Sequence, residues 1–133
     1  MLRSEKTWPA TPDHVRDARR EVARLARRAG VDDELLPGME LAVSEAVSNV
    51  VLHGYRGGAR GEITLIAEAD DHRLEVSVRD RGCGMSPHAD SVGAGLGLPL
   101  IAELSDAVAV RPNDDGHGTE VHMTFRLPAA VAA

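Results

Sequence analysis

A chain of 133 residues, with a formal net charge of −6 and three aromatic residues (Trp8, Tyr55 and Phe125), is long enough to bury one core unaided. The acidic balance argues against general nucleic-acid affinity, because phosphate backbones demand a basic face. So few aromatic rings also argue against stacking platforms for bases or sugars, and leave Val, Leu and Ala to fill the interior.

The first segment, RSEKTW, is short and extended, and Pro9 ends it. TPDHVRDARREVARLARRAG reads as a helix, with Thr11 as N-cap, Pro12 at the first helical position and Gly30 closing the end. Val15, Ala18, Val22, Leu25, Ala26 and Ala29 form one apolar stripe at helical spacing. Arg16, Arg19, Arg20, Arg24, Arg27 and Arg28 gather on the other side. They read either as a solvated face, paired partly with Asp13, Asp17 and Glu21, or as a docking surface for an acidic partner. A second helix is expected from Asp32 or Asp33 to His53, stopped by Gly54, with Met39, Val43, Ala46, Val47 and Val50 turned into the core. RGGARG is a turn-rich loop. EITLIAEA and RLEVSVRD, joined by DDH, alternate as a hairpin does. Residues 81 to 95 are a glycine-containing loop, and LGLPLIAELS is a short helix despite Pro99. AVAVRP and GTEVHMTFRLP are two more strands on either side of the turn NDDGH. The expected unit is one domain over residues 1–128, with a disordered tail at 129–133. Strand, two helices, hairpin, glycine loop, helix and hairpin predict an α/β (α+β) fold: a mixed sheet with helices on one face.

Cys83 is the only cysteine, which excludes an internal disulfide and fits a reducing compartment. The opening MLRSEKTWPA has no apolar run of signal-peptide length, and no later stretch is long enough to span a bilayer, so a soluble cytoplasmic protein is expected. The histidines show no metal-ligand spacing. His117 and His122 fall on one strand, but their odd separation sends them to opposite faces.

Three segments carry chemistry. E-A-V-S-N, on the second helix, sets Glu45 and Asn49 four residues apart on one side, at the margin of the apolar stripe. Asn49 offers an amide oxygen to a hard cation, and Mg²⁺ accepts such ligands alongside phosphates and water. Glu45 is then placed to take a proton from an attacking hydroxyl or water. D-R-G-C-G-M, from Asp80 to Met85, ends a strand with a carboxylate that can face an exocyclic amine while the backbone turns sharply. G-A-G-L-G-L, from Gly93 to Leu98, opens a helix with bare N–H groups that favour anions. Singly, each signal is weak: glycine loops are common and a helical Glu/Asn pair usually faces solvent. In this order they are specific.

The arrangement resembles the ATPase superfamily that unites gyrase, histidine kinases, a heat-shock chaperone and mismatch-repair proteins, known by the initials GHKL. The resemblance runs from Trp8 to Phe125. It implies a Bergerat-type ATP-binding fold, a two-layer sandwich with a mostly antiparallel sheet, and ATP with Mg²⁺ as cofactors. By that resemblance Glu45 is the catalytic base and Asn49 the Mg²⁺ ligand. Asp80, Gly82 and Gly84 hold adenine, Gly93, Gly95, Leu96 and Gly97 hold the phosphates, and Thr119 of G-H-G-T-E-V lies near adenine. AVSEAVSNVVLHGY is most similar to the serine kinases that act as bacterial anti-sigma factors, and WPATPDHVRDARREV is similar to small actinobacterial relatives of that group.

The function so implied is Mg-ATP-dependent phosphorylation of a serine on an anti-anti-sigma (STAS-type) partner, which frees the kinase to hold a sigma factor. The family pattern alone implies a homodimer, while the acidic charge and the lack of a spanning stretch argue against direct contact with nucleic acid or membrane. Only eight residues separate Gly84 from Gly93, a shorter lid than those kinases carry. That departure favours an alternative, an ATP-binding regulatory module that binds a partner without significant phosphotransfer. A detached histidine-kinase catalytic domain is a third reading, but His14 in PDHVRDARR lacks the pattern of a phosphoacceptor helix.

Overall fold

Wherever apolar and polar residues alternate, the chain lies in the sheet. The computed structural model describes residues 1–54, 61–81, 98–113 and 118–128. Its elements run β1 (Leu2–Pro9), α1 (His14–Arg28), α2 (Leu36–Asn49), β2 (Glu62–Ala69), β3 (Arg73–Arg79), α3 (Leu98–Leu104), β4 (Ala107–Pro112) and β5 (Thr119–Arg126). The strands pair in the order β1-β2-β3-β5-β4. All four pairings are antiparallel, where a mixed sheet is expected from the element order. The reason is topological. The connection through α3 leaves β3 and β4 running the same way, but β5 inserts between them and opposes both.

Register lines up the apolar positions across the strands. Leu65 faces Val78, which faces Val121, and Ala67 faces Val76, which faces Met123. All six are fully buried. The helices cover this face: α1 lies on β1 and β2, α2 on β3, and α3 on β4. From them Val22, Leu25, Val43, Val47 and Ile101 complete a single core, each large aliphatic side chain contributing about 1.5–3 kcal/mol by leaving water. The opposite face stays open and polar.

The helix boundaries differ from the expected ones for local reasons. Thr11 is not the N-cap of α1. Its carbonyl accepts from the His14 N–H at 3.1 Å and that of Pro12 from Val15 at 3.2 Å, so Thr11 and Pro12 form a turn ahead of the helix. The C-terminal end is as the sequence suggests. Gly30 has φ 82°, its N–H donates to Arg27, and the Val31 N–H reaches back to Ala26, both at 3.0 Å. α2 begins later than Asp32 because the Asp32 carboxylate accepts from the Glu34 N–H at 3.2 Å, which fixes a turn there. Beyond Asn49 the helix widens into a π-helical turn, Val50–Gly54. His14 stacks on Trp8, ring centroids 6.5 Å apart, and its Nδ1 lies 2.8 Å from Asp17.

Glu21 joins α1 to β1. It accepts from the Ser4 hydroxyl and from Arg24, at 3.0 and 2.6 Å. The Arg24 hydrogen bonds hold its carboxyl at about 2, against the ordinary 4.5, even though burial opposes this. A depressed carboxyl contributes stability above its unfolded value and loses it as pH falls toward the folded one. The shift corresponds to an upper bound on the order of 3 kcal/mol, reduced by solvent at the half-exposed Arg24. Denaturant unfolding at pH 7 and pH 3 is therefore expected to show a smaller acid loss for Glu21→Gln than for the native protein. Equal losses would remove this linkage. Arg24 thus spends its charge within the helix and Arg19 approaches Glu40 at 3.9 Å, while Arg16, Arg20, Arg27 and Arg28 stay exposed.

Candidate functional site

Alternation along the strands decides where the site lies. Thr119 shares its parity on β5 with the buried Val121 and Met123, and Asp80 follows Val78 by two residues. Both therefore turn toward the helix-covered side, and both are buried, Asp80 to 1% exposure and Thr119 to 5%. They meet across 39 residues of sequence. The Asp80 N–H donates to the Thr119 carbonyl at 3.0 Å, and the Thr119 N–H donates to Asp80 Oδ1 at 3.3 Å.

Two further residues hold this corner, and neither stands among those assigned from the sequence. Gly118 has φ +80°, and a Cβ there would lie 1.9 Å from the Asp80 carbonyl oxygen, so only glycine fits. Asn113, one residue past β4, donates from Nδ2 to that same carbonyl at 2.7 Å. The glycine could be suspected from G-H-G-T. The asparagine had only the general turn preference of its residue type as a signal.

On α2, which packs on β3, Asn49 is buried to 2% exposure and Glu45 is half-buried one turn before it. The π-helical turn starts at the next residue, Val50. Such turns are frequent at functional sites. Gly82, Gly84, Gly93, Gly95, Leu96 and Gly97, expected to turn the backbone and hold phosphates, lie outside the described residues.

The other side of the sheet carries unrelated chemistry. An open concavity of about 700 Å³ there is lined by residues that include Thr64, Ser77, Arg79, Arg111 and His122. Ser77 and His122 Nδ1 lie 2.8 Å apart, and His122 Nε2 lies 3.3 Å from Glu75. Glu120, 3% exposed, receives Arg79 Nε at 2.5 Å and Arg111 Nε at 2.7 Å. Burial alone would push its carboxyl up, but the bonds from Arg111 and Arg79 outweigh it and hold it below the usual range. None of this faces the α2 side.

The described geometry defines a two-layer α+β class of fold: an antiparallel sheet, helices on one face, and a buried strand-end carboxylate beneath them. The family described as "Histidine kinase-like ATPase domain" matches residues 8–125, and the chain belongs to it. Among curated proteins it is similar to the serine-protein kinase RsbW of Listeria innocua, 33% identical over 131 residues, covering 87% of this chain and 82% of the relative. It is also 32% identical to the RsbW of Bacillus velezensis, covering 92% and 84%. Among solved structures it is similar to the RsbU and RsbW domains of Rv1364c from Mycobacterium tuberculosis, with TM-score 0.73 and 26% identity. That match covers all of this chain and 35% of the other. The histidine kinase domain of a blue-light activated histidine kinase from Erythrobacter litoralis shares the fold at TM-score 0.59 and 19% identity. No described helix is long and apolar enough to cross a membrane.

Proposed function

We propose that this protein is an ATP-dependent protein serine kinase and anti-sigma factor of the cytoplasm. It phosphorylates a serine on a STAS-type anti-anti-sigma partner and so governs when it holds a sigma factor. One observation carries the reading: Asp80 and Thr119 are joined and buried at the strand ends, on the face that α2 covers with Glu45 and Asn49. The curated relatives, named serine-protein kinases over most of their length, support it.

The roles follow from chemistry. The Asp80 carboxylate accepts from the exocyclic amine of adenine, with Thr119 beside it. Glu45 accepts the proton of the partner's serine hydroxyl as its oxygen bonds to the γ-phosphorus and the bond to ADP breaks. Asn49 is a buried neutral oxygen donor, which suits Mg²⁺ held mainly by phosphates and water. Among the described residues no group of three acidic, His or Cys side chains could hold a metal ion. Bound there, the cation would neutralise charge on the phosphates.

Affinity capture from native cells in ATP and in ADP tests the partner-switching part. The retained partners are expected to change with the nucleotide. Identical retained proteins in both would contradict it.

A further inference from the structure

We propose that Asn113 is a positioning residue that sets base selectivity, by locking the backbone of Asp80 from the far side of the sheet. The inference rests on the adenine role of Asp80 given above. Among the described residues, three bonds hold Asp80. Its N–H is held by the Thr119 carbonyl at 3.0 Å, its Oδ1 by the Thr119 N–H at 3.3 Å, and its carbonyl by Asn113 Nδ2 at 2.7 Å. The first two come from β5, the adjoining strand of the sheet. The third reaches over β5 from the end of the edge strand β4, 33 residues away in sequence.

Asn113 is itself held. Its N–H donates to the Gly118 carbonyl at 3.3 Å, closing the β4–β5 turn. Two rungs earlier Arg111 pairs with Glu120, and the same carboxylate takes Arg79 of β3, so β4, β5 and β3 are clamped together beside the turn. Gly118 leaves the Asp80 carbonyl exposed to this approach because it has no side chain. Asn113 lines the concavity on the open face, so it acts on the buried carboxylate through the Asp80 backbone.

Selectivity follows from rigidity. A fixed carboxylate favours a purine that presents an amine and repels one that presents a carbonyl oxygen, as guanine does. Without Asn113 the Asp80 carbonyl loses that anchor while the Thr119 bonds remain, so the carboxylate is held less rigidly: the amine meets a poorer acceptor and the carbonyl meets less repulsion. Loss of one hydrogen bond of this kind is worth about tenfold in affinity.

The test is calorimetric titration of the native protein, Asn113→Ala and Asn113→Asp with MgATP and MgGTP, together with thermal unfolding. Asn113→Asp keeps the shape but places an acceptor against the Asp80 carbonyl, so it serves if the alanine variant folds poorly. The expected result is ATP affinity lowered about tenfold and the ATP-over-GTP preference narrowed, with GTP affinity unchanged or improved. Unchanged ATP affinity, or equal losses for both nucleotides in step with the melting temperature, would overturn the positioning role and leave the nucleotide site standing. Failure of the native protein to bind ATP would instead overturn the adenine reading of Asp80, and this inference with it.

Discussion

Glu45→Gln is expected to bind ATP normally and to transfer phosphate about 10²–10⁴-fold more slowly, the span of a general base removed. The substitution keeps size and polarity but cannot accept a proton at neutral pH. Glu45 is half-buried on α2, so folding stability should move little. Asn49→Ala is the contrasting variant. Asn49 is buried, so its loss costs stability on the order of 1–3 kcal/mol. Its diagnostic effect is elsewhere: ATP affinity should fall and respond less to added Mg²⁺. If the two residues merely line the core margin, both variants lose stability in parallel and neither shows a selective effect on nucleotide. Thermal unfolding, ATP affinity with and without Mg²⁺, and single-turnover transfer separate these outcomes.

Asp80→Asn should be the most damaging substitution for nucleotide affinity. The amide oxygen can still accept from the Thr119 N–H, so the corner stays folded. Its other atom becomes an NH₂ group facing the purine amine, two donors opposed in a buried site. That mismatch costs roughly 1–3 kcal/mol, or about 5–150-fold in affinity. Near-normal ATP affinity by calorimetry would remove the adenine role from Asp80.

The parts of this molecule legible in its sequence are those with a period. The stripe through Ala18, Val22 and Leu25 and the one through Met39, Val43 and Ala46 are buried as their spacing requires. The hairpin of residues 62–79 pairs in the register that its alternation demands. Boundaries were less readable, because Thr11 and Asp32 each have two uses. Both residue types cap helices well, and here backbone and side-chain bonds commit them to turns ahead of the helix instead. The π-helical turn is silent in sequence, since VVLHG continues the helical pattern and the extra residue is absorbed by hydrogen-bond geometry alone. Asn113 was hidden for another reason. Its partner is a backbone carbonyl one residue past a strand that is not its neighbour, and no spacing rule relates positions 80 and 113. The carboxylate and amide of the candidate site stood out through residue chemistry, whereas the residue that holds the carboxylate's backbone emerges only from the fold.

Transfer of label from γ-labelled ATP to the captured partner, followed by acid and base treatment of the product, tests the central claim most directly. The account predicts label on the partner that survives acid and is lost in base, as phosphoserine behaves. An acid-labile label, or no transfer at stoichiometric protein with ATP bound, would contradict a serine kinase.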